Sequence, residues 1–207
     1  MTSFDLGTLD PGDAYKLITG VVQPRPIAWV STLSSSGRRN LAPFSFFTIA
    51  SRAPVMLFLS IGETSRPGHG QKDTLSNVLA TGELVVNIVS EPLLESMVRS
   101  SAEVPAEIDE FDYAGVEAAA CDVVAPPRVA QARVALECRA EETRRWGSDT
   151  GVLARVLRMH TADGIVDERF HIDSAALRPV ARLAGATYSV EQVMIPSPPV
   201  PDWDPVA

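Results

Sequence analysis

Two stretches of this chain carry residue types able to hold and orient a ligand. The first is Asn40 to Phe47, reading Asn-Leu-Ala-Pro-Phe-Ser-Phe-Phe. Phe44, Phe46 and Phe47 are three of the seven phenylalanines in the whole chain, so the aromatic density is local. Ring faces stack on a flat ligand while neighbouring amides and hydroxyls read its polar edge. Pro43 has no backbone N–H, which argues against an ordinary central strand. The alternative is a β-edge whose aromatics fill a core. The second stretch is Arg66-Pro67-Gly68-His69-Gly70-Gln71-Lys72-Asp73-Thr74, ahead of an amphipathic segment. Gly68 and Gly70 allow close backbone approach. A helix start offers amides and a positive dipole end to a phosphate. Arg66 and Lys72 add charge, and the Thr74 hydroxyl adds a donor. Asp73 repels a phosphate and suits the helix cap instead. The alternative is a capped helix after a loop, with Lys72 and His69 in solvent.

These residues need elements to place them. Asp10-Pro11-Gly12-Asp13 starts a helix that is expected to reach about Leu17 and end at Gly20. Ile27 to Leu33 is β-rich, Ser34 to Arg38 reads as a hairpin turn, and Asn40 to Ile49 as the returning strand. The continuous apolar run Val55 to Ile61 predicts a strand buried on both faces. Lys72 to Ala80 has helical spacing at Leu75, Val78 and Leu79, with Gly82 as its stop. Leu84 to Val89 reads as a strand, and Ser90-Glu91-Pro92 as the cap of a helix to about Ser100. Residues 101–131, rich in Ala, acid and Pro, are expected to form a surface excursion. Val134 to Thr143 alternates, with Glu137, Arg139 and Glu141 on the polar side, and Gly151 to His160 repeats the pattern. Prolines dominate the tail from Ile195, so a domain over 1–195 and an extended tail over 196–207 are expected.

Strands spaced by turns, with helices inserted rather than alternating, predict a mostly β, antiparallel barrel. No Gly-x-Gly-x-x-Gly follows a strand, which argues against a dinucleotide-binding parallel sheet. The 207 residues suffice for one large domain, and 45% apolar with 21% charged residues is ordinary folded composition. A net charge of −8 disfavours nucleic acid and anionic membrane surfaces. No apolar run reaches membrane-spanning length and the N-terminus lacks a leader pattern, so a cytoplasmic location is expected. Cys121 and Cys138 have no ligand spacing, so free thiols and no metal are expected.

The order of motifs is more specific than either stretch. Arg25-Pro26-Ile27-Ala28-Trp29-Val30-Ser31-Thr32, then Asn40 to Phe47, then Lys72-Asp73-Thr74-Leu75-Ser76-Asn77 resembles the flavin reductase-like family of FMN-binding split β-barrels. The likeness continues through Val85 to Val89, Asp109-Glu110-Phe111, Pro126 to Val129, Ala135 to Cys138 and Leu177-Arg178-Pro179, covering roughly residues 10–190. It implies a homodimer with FMN in a groove near the subunit interface. Asn40, Ala42, Pro43, Phe44, Ser45, Phe46 and Phe47 would line the isoalloxazine ring, with the Ser45 hydroxyl at its polar edge. Ser31 and Thr32 would lie near the ribityl chain or phosphate, and Arg66, Lys72, Asp73 and Thr74 would form the phosphate end. The implied activity is an oxidoreductase that takes electrons from NADH or NADPH and passes them to free flavin or another acceptor, with a monooxygenase as a possible partner. The alternative is an FMN-binding electron carrier without direct NAD(P)H oxidation. Many relatives carry Arg-Leu-Gly-Gly ahead of a tyrosine; here the run is Arg182-Leu183-Ala184-Gly185-Ala186-Thr187-Tyr188, which puts substrate preference in question.

Overall fold

A computed structural model describes residues 1–64, 70–105, 107–190, 195 and 197. Arg66 and His69, and all of the proline-rich tail except Ile195 and Ser197, lie outside the described residues. The strands are β1 (Arg25–Pro26), β2 (Ala28–Leu33), β3 (Arg39–Phe44), β4 (Phe47–Arg52), β5 (Val55–Ile61), β6 (Glu83–Ile88), β7 (Ala118–Ala119), β8 (Arg128–Val129), β9 (Val134–Trp146), β10 (Asp149–Thr161), β11 (Ala181–Arg182) and β12 (Tyr188–Ser189). The helices are α1 (Pro11–Val21), α2 (Asp73–Thr81), α3 (Leu94–Arg99), α4 (Glu110–Ala114) and α5 (Ser174–Leu177), with a 3-10 turn at Glu91–Leu93. The main sheet has seven strands in the order β3-β2-β6-β9-β10-β5-β4, every pairing antiparallel. Mostly β, antiparallel, with inserted helices: that part of the expectation holds.

The edge strands β3 and β4 are consecutive in the chain, joined only by Ser45 and Phe46. The expected single strand from Asn40 to Ile49 is therefore two strands in two places. No ladder joins β3 to β4 among the described residues; instead the Ser60 amide donates to the Phe46 carbonyl at 2.8 Å. Bulges in the β9–β10 and β4–β5 pairings bend and twist the sheet. Bending brings the two edges toward each other around an interior filled by Ala28, Val30, Phe44, Leu57, Leu59, Ile61, Leu84, Val86 and Val152, with Leu75 and Val78 of α2 packed on it.

Strand β2 is covered on its other face too. Ile27, Trp29, Leu41, Val89, Met97, Phe111 and Val129 form a second core outside the sheet. Phe111 and Val129 fall in the segment expected to be a surface excursion; α4 and β8 instead clamp it onto β2 and β3. The Trp29 indole N–H donates to Ser100 Oγ at 2.8 Å, so the fully buried ring keeps its polar atom satisfied. Strand β5 departs from its expectation in the opposite sense. Leu57, Leu59 and Ile61 face the interior, whereas Val55 is exposed, so the strand is buried on one face.

Helix ends explain further differences. Asp10 caps α1 by accepting from the Gly12 amide, as its position predicts, yet the helix continues through Gly20 to Val21. Gly82 ends α2 in the left-handed conformation, at φ 72. Ser90 makes no side-chain cap, and a 3-10 turn precedes α3. On β9, Glu137 is fully buried rather than on a solvent face. Its carboxylate accepts from the Asp122, Val123 and Val124 amides (3.0, 2.7 and 3.0 Å) and contacts His160 Nε2 at 2.5 Å.

Candidate functional site

Strand β3, from Asn40 to Phe44, and Lys72 to Thr74 at the start of α2 meet at one end of the curled sheet. Thr32 and Asn40 are register partners on β2 and β3. By strand alternation, Asn40 shares a face with Ala42 and Phe44. Helix α2 docks on this end through polar contacts. Asn77 Nδ2 donates to Thr32 Oγ1 at 3.0 Å, and the Asn40 amide lies 2.9 Å from Thr74 Oγ1. The surrounding network orients that amide: its nitrogen donates to Glu110 Oε2 at 3.2 Å and its oxygen accepts from Thr74. Glu110, at 8% exposure, also accepts from the Leu41 amide at 2.8 Å. Strand β3, helix α2 and helix α4 are thus tied at one point by Asn40.

A cleft opens over that point. Asn40, Ala42, Pro43 and Phe44 form one wall, Lys72, Asp73 and Thr74 a second, and Ser100 to Glu103 with Glu110 a third. Its empty volume is about 620 Å³, including the part open to solvent. Seven of the expected site residues therefore line one cleft: Asn40, Ala42, Pro43, Phe44, Lys72, Asp73 and Thr74.

The others stand elsewhere. Ser31 is buried; its hydroxyl donates to the Pro127 carbonyl at 2.6 Å and lies 3.3 Å from Asn87 Nδ2. Thr32 is also buried and holds Asn77, so it acts on the cleft through α2. Ser45 lines an adjoining cleft and accepts from Arg25 Nε at 3.4 Å. Phe46 is exposed beside Tyr15 at 6.2 Å between ring centroids, and Phe47 packs against the interior core.

Helix α2 begins at Asp73 itself, with Lys72 at the cap position and no side-chain capping bond there. Its positive end faces the cleft. Lys72 Nζ lies 3.3 Å from Glu103 Oε1, an ion pair half-open to solvent. Glu103, Ser101 and Glu110 line the cleft without a functional signal of their own: Glu110 belongs to the Asp-Glu-Phe motif, and Ser101 and Glu103 lie in a segment without periodicity.

The donor set suits a flavin phosphate and ring. Thr74 and Lys72 would hold the phosphate, at an uncapped helix start. A phosphate there would take the place of Glu103 beside Lys72. The β3 backbone from Asn40 to Phe44 would face the ring system. His171 is exposed and lies 3.1 Å from Asp167, and Trp146 is half-exposed against Phe58, so neither lines this cleft. In contrast to the expectation of no clustered ligand types, Cys121, Glu137 and His160 bring their ligand atoms within 4.8 Å of one another. The Glu137 oxygens are committed to amides, and burial pushes the Cys121 thiol up to about 11.

The model of the flavin reductase-like domain matches residues 23–177. An uncharacterized protein of Aquifex aeolicus is 38% identical, over 86% of this chain and 90% of that protein. The crystal structure of nitrilotriacetate monooxygenase component B from Bacillus cereus superposes with a TM-score of 0.90 at 28% identity, covering 95% of this chain and 98% of that one. The structure of 2-nitrobenzoate 2-nitroreductase from Pseudomonas fluorescens gives 0.86 at 28% identity, covering 95% and 96%. The matched span includes β2, the Asn40 to Phe47 stretch, α2 and the Glu110 helix, the elements that build the cleft, and the chain belongs to the flavin reductase-like domain family.

Proposed function

We propose that this protein is an FMN-dependent oxidoreductase of the NAD(P)H:flavin reductase type, with the flavin held in the cleft between β3 and α2. One observation carries the reading. Asn40 joins the β3 wall to Thr74 at the helix start, so a ring site and an anion site share one rigid support. Bound there, FMN supplies the hydride and electron transfer. The protein's residues bind and orient. Lys72 and Thr74 neutralise and hydrogen-bond the phosphate, while Pro43 and Phe44 present an apolar surface to the ring. Glu110 holds the Leu41 amide and Asn40 in place, so the wall keeps its shape. No acid, base or nucleophile is required of this chain.

The finer assignments follow the family. The seven-stranded sheet forms the split barrel, and a homodimer is expected to complete the groove. NADH or NADPH is the electron donor, and free flavin or another small molecule the acceptor. The neighbour that is a monooxygenase component supports a partner monooxygenase fed with reduced flavin. A cytoplasmic location fits this role.

Anaerobic mixing of the FMN-loaded protein with NADH or NADPH tests the reading. Flavin absorbance should bleach in a fast phase with at least one of the two. No bleaching with either, together with reduction by a one-electron donor, would make the protein an electron carrier.

A further inference from the structure

A second cleft adjoins the first and differs from it in charge. It is lined by Ile27, Pro43, Ser45, Met97, Ser101, Arg182 and Tyr188, and it shares Pro43 and Ser101 with the flavin cleft. Carboxylates of Asp73, Glu103 and Glu110 line the flavin cleft, whereas Arg182 is the only charged side chain among those lining the second.

The backbone explains why Arg182 sits there. Strands β1, β11 and β12 make a small antiparallel sheet in which Arg182 pairs with Arg25 on one side and Tyr188 on the other. The turn between β11 and β12 closes with the Leu183 amide donating to the Thr187 carbonyl at 2.9 Å, and Gly185 takes φ 59. The Arg182 guanidinium lies over the Tyr188 ring, 4.7 Å from its centroid, and donates to the Tyr188 hydroxyl and the Gly185 carbonyl. It is held in position without a carboxylate partner among the described residues. Arg25 differs: it donates to the Thr19, Val22 and Leu183 carbonyls and to Ser45, so its charge is built into the fold.

A guanidinium fixed by neutral partners, half-buried in a cleft of mixed apolar and hydroxyl lining, is a receptor for an anion. We propose that this second cleft seats the molecule that exchanges electrons with the flavin, and that Arg182 pairs with its carboxylate or phosphate. The ligand class is a planar ring carrying an anionic group. Pro43 and Met97 suit the ring, Ser45 and Ser101 offer hydroxyls, and Arg182 selects the charge. This assignment rests on the flavin reading, because the cleft matters through the wall it shares at Pro43.

The test uses the FMN-loaded protein and three probes: benzoate, uncharged benzamide and NAD⁺. Binding is read from the perturbed flavin spectrum and from calorimetry. Arg182→Gln should weaken benzoate or NAD⁺ about tenfold, leave benzamide unchanged, and leave FMN affinity within about twofold. A response of benzoate alone identifies an aromatic acid as the ligand, and of NAD⁺ alone a pyridine dinucleotide. Tyr188→Phe, which removes a partner of Arg182 but keeps the ring, should show a smaller loss of the same sign. Equal binding of benzoate and NAD⁺ by wild type and Arg182→Gln overturns the proposal, as does failure of both to bind wild type. An equal loss for benzamide also overturns it, since charge would then not be what Arg182 supplies. Wild-type protein that takes up no FMN overturns the flavin assignment and this one with it. FMN uptake with unchanged probe affinities overturns this one alone.

Discussion

The double variant Lys72→Ala, Thr74→Ala is expected to lose FMN affinity by roughly 100-fold or more. A hydrogen bond to a charged group contributes about 1.5–3 kcal/mol, and both substitutions remove one from the phosphate. Thr74 carries a second consequence. Its hydroxyl lies 2.9 Å from the Asn40 amide, so its loss also loosens the β3 wall from α2. Thr74→Ser, which keeps the hydroxyl, should recover most of the affinity lost by Thr74→Ala. Lys72→Ala alone should show the salt dependence of a lost charge, because the ion pair with Glu103 is partly exposed and so screened. Equilibrium titration followed by flavin fluorescence measures all of these. Affinity equal to wild type in the double variant would remove the phosphate from this end of the cleft.

The second large effect is on stability, and it belongs to Glu137. Burial raises its carboxyl, but the Asp122 amide, His160 and the Val123 and Val124 amides outweigh burial and hold it at about 2, against an ordinary 4.5. The folded value is depressed, so the carboxylate contributes stability that is complete above about 4.5 and disappears as pH falls toward 2. The difference corresponds to about 3 kcal/mol. Glu137→Gln should therefore lower Tm at pH 7 by about 6–12 °C, at about 2–4 °C per kcal/mol for a chain of this size. The gap between wild type and variant should close as pH drops from 5 toward 2. Thermal melts by circular dichroism across that range give the result. A gap that stays constant with pH would mean that the carboxylate's charge is not what anchors residues 122–124.

Local chemistry made much of the site legible. Asp10 capping α1 and Gly82 ending α2 are decided within a few residues, and both behave as their types predict. Asn40 to Phe47 and Lys72 to Thr74 stand out by residue type, and Asn40, Ala42, Pro43, Phe44, Lys72, Asp73 and Thr74 line one cleft. What stayed hidden depends on distant partners. Phe44-Ser45-Phe46-Phe47 has unbroken β character, so nothing local marks the point where β3 ends and β4 leaves for the far edge of the sheet. Ser31 and Thr32 have the residue types of ligand donors. Their hydroxyls instead meet Pro127 and Asn77, residues 96 and 45 positions away. Phe111 lies in a segment without periodicity, and only its contacts with β2 and β3 reveal that the segment closes a second core. Glu137 alternates with apolar neighbours as a solvent-facing residue does, and the amides that bury it come from a loop beyond the reach of any strand pattern.

The most direct test is a titration of purified, flavin-free protein with FMN, followed by fluorescence and visible absorption. The account predicts saturation at one FMN per chain, a shifted and resolved flavin spectrum, and weak binding of riboflavin, which lacks the phosphate that Lys72 and Thr74 would hold. FMN that fails to bind, or riboflavin that binds as tightly as FMN, would contradict it.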